Sequence, residues 1–138
     1  RINDSMGEYV ADRVHSLMVN KSISADGAKV LILGLSFKEN CPDIRNTKII
    51  DTIEKLQGYG CIVDVSDPWV DHRDAKSIYG ISLVSDIPQN NYDAIIVAVT
   101  HRQFVDDISN IIDGYGKEQC IIYDIKGMLE QHQSDERL

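Results

Sequence analysis

Basic residues follow the first buried apolar segment of the chain, and their types suit phosphate binding. The segment KVLILG at 29–34 leads into a loop, GLSFKENCPDIRNT at 34–47, that carries Lys38 and Arg45. A lysine presents a point charge to a phosphate, whereas an arginine presents a planar fork that binds two oxygens at once. Asp43 precedes Arg45 closely enough to orient it. On this chemistry alone, an anion-binding loop and a solvated loop with one surface ion pair stay equally open.

The same loop lacks the usual nucleotide-binding motifs. A dinucleotide fold places G-x-G-x-x-G after its first strand, and this loop has only Gly34. It does not follow the Walker A pattern either. The sequence therefore predicts that this sheet does not hold a dinucleotide pyrophosphate in the usual way.

Other residues near predicted strand ends have types that could do chemistry. Asp67 follows the second predicted strand, where a classical dinucleotide fold places its ribose-binding acid. Without the glycine motif a turn role is favoured instead, because Asp-Pro commonly starts turns. Asp71, His72 and Asp74 are metal-ligand types without a recognised spacing, so a solvated loop is favoured over a metal site. For His101 a structural hydrogen bond is favoured, since a catalytic histidine needs a substrate group beside it. We predict no catalytic residue and no metal site within the chain.

The elements that position these residues alternate between strands and helices. Short apolar runs predict strands, and the clear runs lie at 29–34, 61–68, 94–99 and 120–125. A weaker run, ISLV at 81–84, is either a weak strand or a connector. Apolar residues at helical spacing predict the helices; they include Met6, Val10, Val14 and Leu17, then Ile49, Ile50, Ile53 and Leu56, then Phe104, Val105, Ile108, Ile111 and Ile112. Asn46 or Thr47 is expected to cap the second helix.

This alternation predicts an α/β fold: a Rossmann-like parallel sheet with helices on both faces. Ligands of such sheets bind beyond the carboxyl ends of the strands. The loops that matter are then 34–47, 66–72, 100–103 and 124–128.

Composition and charge exclude several classes of protein. The length of 138 residues suits one domain. A net charge of −8 argues against non-specific binding to nucleic acid. No apolar run is long enough to span a membrane, and the polar start does not resemble a signal peptide. The three cysteines are widely spaced without a CxxC pair, which favours reduced thiols and a cytoplasmic location.

The stretch VLILGLSFKENCPDIRNT, residues 30–47, resembles the opening of the UDP-binding domain in the UDP-glucose/GDP-mannose dehydrogenase family. The resemblance continues through IVDVSDPWV at 62–70, AIIVAVTHRQF at 94–104 and IIYDIKG at 121–127. RIND at 1–4 and the helix after it resemble the end of the family's central dimerisation helix. The form KENCPDIRNT is most similar to members that act on UDP-N-acetylhexosamines, of the kind that serve Vi-type and O-antigen polysaccharides.

The resemblance implies a function for the whole protein. Members oxidise C6 of a nucleotide sugar from alcohol to carboxylate, with two NAD and a cysteine thiolate. An N-terminal domain holds NAD, a central domain dimerises, and the C-terminal domain closes over the nucleotide sugar. We therefore expect a homodimer at full length, with a UDP-N-acetylhexosamine as substrate. The family's catalytic cysteine lies upstream of Arg1, so we expect this chain alone to be inactive, and Cys41 is not that cysteine.

The resemblance also assigns residues. Phe37 and Lys38 are implied to contact the sugar nucleotide, and Arg45 to reach NAD across the cleft between domains. Lys126 falls near a family position where an arginine contacts substrate. The implied boundaries are the end of the central helix and a linker at 1–26, the UDP-binding domain at 27–130, and a frayed tail at 131–138. The apolar stripe of the first helix is expected to be uncovered, so that the helix self-associates or moves.

Two other functional classes compete with the family. A phospho-acceptor receiver domain needs an acidic pair after its first strand, and this chain has Gly34, Leu35 and Ser36 there, which excludes it. A non-catalytic Rossmann-like module for nucleotide binding or assembly stays open as the alternative.

Overall fold

The chain folds around a five-stranded parallel sheet. The computed structural model describes residues 2–45, 47–125 and 134–137, without the side chains of 2–5 and 137. The strands are β1 Lys29–Leu33, β2 Ile62–Ser66, β3 Tyr92–Val97, β4 Gly116–Asp124 and the short β5 Glu136–Arg137. Their order is β2-β1-β3-β4-β5, and every pair is parallel. The helices are α1 Ile2–Asn20, α2 Ile49–Gly58, α3 His72–Tyr79, α4 Arg102–Val105 and α5 Ile108–Tyr115. Within these ranges, none of the helices combines the length and apolar character needed to cross a bilayer.

Helices cover both faces of this sheet, as the sequence predicted. Side chains alternate between the two faces of a strand, so β1 supplies two cores. Val30 and Ile32 belong to a core shared with α1 and α2. Leu31 and Leu33 belong to a second core with α4 and α5. Burial on both faces is why the strand is apolar at successive positions rather than alternately.

Several element boundaries differ from the sequence-based expectation. Residues 81–84 do not form a strand; Val84 N–H donates to the Val65 carbonyl at 2.8 Å, and of this stretch only Leu83 is buried. The predicted helix after β3 is interrupted between α4 and α5. The last long strand begins four residues earlier than predicted, at Gly116.

Helix α2 is not capped by Thr47. It begins at Ile49, and its N-cap Lys48 makes no side-chain capping hydrogen bond. The other predicted cap, Asn46, lies outside the described residues.

Helix α1 is packed into the domain, so the prediction that its apolar stripe is uncovered is wrong. Val10, Val14 and Met18 are fully buried, and α1 contacts α2 along the first core. The reason is that α2 carries an apolar face of its own, which includes Ile53 and Leu56. Two amphipathic helices can cover each other without another domain.

Polar contacts also hold α1 against two other elements. The Thr52 hydroxyl donates to the Gly7 carbonyl at 2.7 Å, which joins α1 to α2. Arg13 donates to both carboxylate oxygens of Glu136 in β5, at 2.7 and 2.8 Å. Glu136 also pairs with Tyr123 of β4 as part of β5. The contact of Arg13 with Glu136 joins two elements that are far apart in the sequence.

Gly7 of α1 lies close to the start of α2, and this close packing leads to a prediction. A Cβ there would lie 2.5 Å from the Lys48 carbonyl oxygen and 2.8 Å from Asp51 Cβ. Alanine favours a helix over glycine by about 1 kcal/mol, but overpacking costs roughly 1–3 kcal/mol. We therefore expect Gly7→Ala to lower the free energy of unfolding, measured with urea.

Gly58→Ala is the matched control, because Gly58 is also helical and a Cβ there meets nothing within 4 Å. It should leave stability unchanged or raise it by up to about 1 kcal/mol. A Gly7→Ala protein as stable as the Gly58→Ala protein would contradict the close packing of α1 on α2.

Candidate functional site

Three loops meet at the carboxyl edge of the sheet, where the chain leaves β1, β2 and β3. Strand β1 lies between β2 and β3, so successive connections run in opposite directions from it and a crevice opens there. One buried polar side chain comes from each loop: Ser36, Asp67 and His101. These three residues, here the Asp67–His101 cluster, link parts of the sequence that the strands bring together.

Asp67 has a larger role than the turn that its sequence predicts. The turn is present, since Asp67 Oδ1 accepts from the backbone N–H groups of Trp69 and Val70 at 2.8 and 3.2 Å. Its other oxygen, Oδ2, accepts from the N–H groups of Leu35 and Ser36 at 2.7 and 3.0 Å. Burial raises the pKa of Asp67, but hydrogen bonds from His101 and from these backbone groups outweigh burial and hold the pKa below its ordinary value.

The Asp67 carboxylate also bears on dinucleotide binding at this edge. In a dinucleotide fold, backbone N–H groups at the end of the first strand face the pyrophosphate. Here the corresponding groups of Leu35 and Ser36 already bind a carboxylate of the same chain. A pyrophosphate in that place would meet a buried negative charge. The residues at this edge therefore do not fit NAD in the usual position, in agreement with the missing glycine motif.

The hydrogen bonds of His101 define its tautomer. Its Nδ1 accepts the backbone N–H of Asn40 at 2.9 Å, so the proton of the neutral ring is on Nε2. Nε2 lies 2.9 Å from Asp67 Oδ2 and 3.1 Å from Ser36 Oγ. The Ser36 hydroxyl in turn donates to the Lys38 carbonyl at 2.9 Å. The structural role predicted for His101 is confirmed, and each polar atom of the ring has a partner.

The Asp67–His101 cluster has the residue types of a serine nucleophile site but not its geometry. In such a triad the imidazole bridges serine and aspartate through different nitrogens. Here both Ser36 and Asp67 lie at Nε2, and the Nδ1 of His101 binds a backbone N–H group. The serine is buried and its proton is donated to a carbonyl. The cluster is therefore a support for the loops.

The residues predicted to bind ligand lie on the exposed side of the first loop. Phe37 is 56% exposed although it is a large apolar residue, and Lys38 is exposed beside it. The Phe37 N–H donates to the Asp43 carbonyl at 2.6 Å, which closes the loop on itself. An exposed phenylalanine next to a lysine offers an apolar surface and a cation to the same ligand.

Arg45 is paired as its spacing predicted. Its Nε and one terminal nitrogen donate to the two oxygens of Asp43 at 3.0 and 2.9 Å, and the Arg45 side chain is 81% exposed. These hydrogen bonds lower the pKa of Asp43 to about 2. The predicted residue Lys126 lies outside the described residues; β4, which ends at Asp124, brings the chain to the same edge of the sheet.

The stretch from Asp71 to Asp74 is exposed to solvent, as the sequence predicted, and it begins helix α3. The Asp71 side chain accepts from the N–H groups of Arg73 and Asp74, at 2.7 and 3.4 Å, as an N-cap of α3. His72 is the exposed first residue of that helix. In the part of the chain that the structure describes, histidine, cysteine and acidic residues do not gather into a group that could hold a metal.

Sequence reasoning missed residues that join the second and third loops. The indole of Trp69 donates to Gln103 at 3.0 Å, and the guanidinium of Arg102 lies over the Trp69 ring, 5.6 Å from its centre. The Arg102 N–H donates to the Asn40 side chain at 2.9 Å. The available signal was the polar sequence THRQF after β3, at an edge where neighbouring loops must meet.

Comparison with known proteins identifies the fold and the family. Residues 31–131 match the model of the UDP-glucose/GDP-mannose dehydrogenase family, UDP binding domain. The chain belongs to this family. It is 51% identical over 138 residues to the UDP-N-acetyl-D-glucosamine 6-dehydrogenase of Salmonella typhi, and 45% identical over the same length to the enzyme of that name from Pseudomonas aeruginosa. All of the chain is matched, but it spans only 32% and 33% of these two relatives.

Solved structures of family members share the fold. A UDP-D-ManNAc dehydrogenase from Pyrococcus horikoshii superposes with a TM-score of 0.77 at 21% identity, over 99% of this chain and 31% of that one. A GDP-mannose dehydrogenase from Pseudomonas aeruginosa gives a TM-score of 0.68 at 21% identity, over 96% of this chain and 31% of that one. At this low identity the likeness concerns the fold alone. It confirms the Rossmann-like architecture with its N-terminal helix.

Proposed function

We propose that this chain is the nucleotide-sugar-binding domain of an NAD-dependent dehydrogenase that oxidises C6 of a UDP-N-acetylhexosamine to the uronate, for polysaccharide biosynthesis. The observation that carries the proposal is the match along the whole chain to two enzymes named UDP-N-acetyl-D-glucosamine 6-dehydrogenase. The loop geometry supports it, because Phe37 and Lys38 stand exposed at the edge of the sheet where ligands bind.

Each basic residue has a distinct proposed role. Lys38 binds the diphosphate of the sugar nucleotide with its charge, and Phe37 packs against the same ligand. Lys126, which follows β4 in the sequence, adds a second cation. Arg45 reaches NAD, which is held by another domain; its pairing with Asp43 orients the guanidinium group. This division is supported by the exposure of Lys38 and Arg45 and by the poor fit of a dinucleotide at Asp67.

The remaining parts of the proposal concern the complete protein. An N-terminal domain supplies the NAD site, a central domain supplies the dimer contact, and the complete enzyme is a homodimer. We place it in the cytoplasm, and the three free cysteines, Cys41, Cys61 and Cys120, suit a reducing compartment.

The division of labour predicts different effects for two alanine variants of the full-length enzyme. Lys38→Ala removes a charge-assisted hydrogen bond worth roughly 1.5–3 kcal/mol, so UDP-sugar affinity should fall about ten- to a hundredfold. Arg45→Ala should leave UDP-sugar affinity unchanged and mainly raise the KM for NAD. Calorimetric titration with UDP-sugar and initial rates at varied NAD measure the two effects.

Two outcomes would contradict these roles. Equal losses of UDP-sugar affinity in both variants would remove the distinction between Lys38 and Arg45. No loss in either would remove this loop from the substrate site. Absence of UDP binding by the unmodified protein would instead favour the alternative of an assembly module.

The isolated chain of 138 residues is expected to form no NADH from UDP-N-acetylglucosamine and NAD. The reason is that the NAD site and the cysteine nucleophile are proposed to lie in other parts of the complete enzyme, with Cys41 in neither role. Absorbance at high protein concentration measures the product. Sustained turnover by this chain would place the redox chemistry within it and overturn the proposal.

A further inference from the structure

We infer that His101 is the positioning residue for the loop that carries Phe37 and Lys38, and that it acts through the acceptor atom Nδ1. The inference rests on the proposed function of that loop. It adds a residue that touches no ligand but determines where the ligand-binding residues stand.

Two chains of hydrogen bonds run from the His101 ring into the loop. On one side, Nδ1 accepts the backbone N–H of Asn40. On the other, Nε2–H lies beside Ser36 Oγ, and the Ser36 hydroxyl donates to the carbonyl of Lys38. Ser36 and Asn40, which flank residues 37–39, are thus held by the two nitrogens of one imidazole.

His101 itself cannot easily move. It is fully buried, its Nε2 is hydrogen-bonded to Asp67, and its ring centre lies 5.6 Å from that of Phe104. Asp67 is in turn held by backbone groups of the first and second loops. The ring is therefore held in place, with Nδ1 as a hydrogen-bond acceptor and Nε2 as a donor.

The segment that it holds is exposed and conformationally unusual. Residues 37–40 are all exposed, so packing contributes little to their order. Asn40 has φ of 52°, in the left-handed region, which a non-glycine residue adopts at a cost. A further hydrogen bond, from Arg102 N–H to the Asn40 side chain, ties the same turn to the loop that carries His101. Without the Nδ1 acceptor, the backbone of Asn40 would lose the contact that favours this conformation.

A ligand-binding lysine must be presented in a defined geometry, because a small displacement of a binding group costs affinity. The backbone at Lys38 is set by Ser36 and, through Asn40, by His101. The expected consequence is that loss of the Nδ1 acceptor weakens UDP-sugar binding even when the domain stays folded.

Two substitutions of His101 distinguish the role of Nδ1 from the role of Nε2. His101→Gln places an amide near the position of Nε2, where it can still donate to Asp67, but it has no acceptor at Nδ1 for the Asn40 N–H. His101→Asn places its amide oxygen near Nδ1, where it can accept from Asn40, but it does not reach Asp67. We expect His101→Gln to keep its stability but to lose the ordered conformation of the loop. We expect His101→Asn to keep the loop conformation but to lose stability.

The experiment measures three quantities on the full-length protein. Amide exchange of residues 37–45 is measured without ligand, UDP-sugar affinity is measured by calorimetry, and stability is measured by urea unfolding. In His101→Gln the loop should exchange faster and affinity should fall about tenfold, the equivalent of one hydrogen bond of about 1.4 kcal/mol. In His101→Asn the loop should stay protected and bind well, although the protein unfolds more easily.

A purely structural role for His101 predicts another pattern, in which affinity falls in proportion to stability in both variants. That result, or unchanged loop exchange in His101→Gln, would overturn the inference. If neither variant folds, Ser36→Ala tests the other arm: it should speed exchange at Asn40 and weaken binding, and no effect on either would count against the inference. If the unmodified protein binds no UDP-sugar, the proposed function fails, and the exchange data still decide whether His101 orders the loop.

Discussion

Replacing Gly34 by alanine is expected to lower the free energy of unfolding by roughly 2–5 kcal/mol, from backbone strain and overpacking together. Gly34 connects β1 to the ligand-binding loop with φ of 109°, a conformation that L residues rarely adopt. A Cβ there would lie 2.6 Å from Val99 Cβ and 2.9 Å from Val99 N. The Val99 backbone belongs to the segment after the neighbouring strand β3, so relief would require the two strand ends to separate. Urea unfolding of the variant measures the loss.

Gly27→Ala separates strain from collision. Gly27 also has a positive φ, of 85°, but a Cβ there meets nothing within 4 Å. Only the strain remains, and we expect a loss of about 1 kcal/mol. If Gly34→Ala costs no more than Gly27→Ala, the strand ends at the crevice are not as close as described. A larger cost at Gly34 should be accompanied by weaker UDP-sugar binding, because the same glycine starts the loop that carries Lys38.

Asp67→Asn is expected to lower the free energy of unfolding at neutral pH by about 3 kcal/mol, since it leaves buried donors facing one another. The Asp67 carboxylate accepts from the His101 ring and from the backbone N–H groups of Leu35, Ser36, Trp69 and Val70, all of them donors. An asparagine replaces one acceptor oxygen by an NH₂ group. Whichever way the amide turns, N–H groups on one side lose their acceptor. Thermal or urea unfolding at neutral pH measures the cost.

The same variant has a defined dependence on pH. The folded-state pKa of Asp67 is below its ordinary value of 3.8, so its carboxylate stabilises the fold fully above that pH and progressively less as pH falls towards the lowered pKa. The asparagine protein has no such group. The stability difference between the two proteins should therefore be constant near neutrality and shrink below about pH 4. Other acidic residues contribute to both proteins and cancel in the difference.

Asp71→Asn is the control for this substitution. Asp71 is exposed and caps α3, a position at which asparagine serves about as well. It should change stability by no more than a few tenths of a kcal/mol, about the range for surface positions. A stability difference for Asp67→Asn that stays the same from neutral pH down to about pH 3 would show that Asp67 has the same pKa in the folded and the unfolded protein, and would contradict the lowered pKa in the fold.

Local sequence pattern was enough to predict the strands of the sheet and the ion pair in its first loop. The runs around Leu31, Val63 and Ile96 are rich in apolar residues because parallel strands are covered on both faces, and the same cause makes them visible in the sequence. The pairing of Arg45 with Asp43 was also predictable, because the partners are two residues apart. The carboxyl edge of the sheet followed from the direction of parallel strands.

Only the tertiary structure decided what supports that edge. The Asp67–His101 cluster joins residues 34 positions apart, and Ser36 is 65 positions from His101, so no local pattern relates them. The Asp-Pro pair predicted the turn correctly, and Asp67 Oδ1 makes the hydrogen bonds of that turn. The partners of Asp67 Oδ2 lie in the loop after β1, so they depend on the path of that loop through the structure. Helix α1 shows the same limit: its apolar stripe was predicted to be uncovered in this chain, and the structure shows that α2 covers it. A sequence determines which surfaces must be buried; which surface buries which is decided by packing in three dimensions.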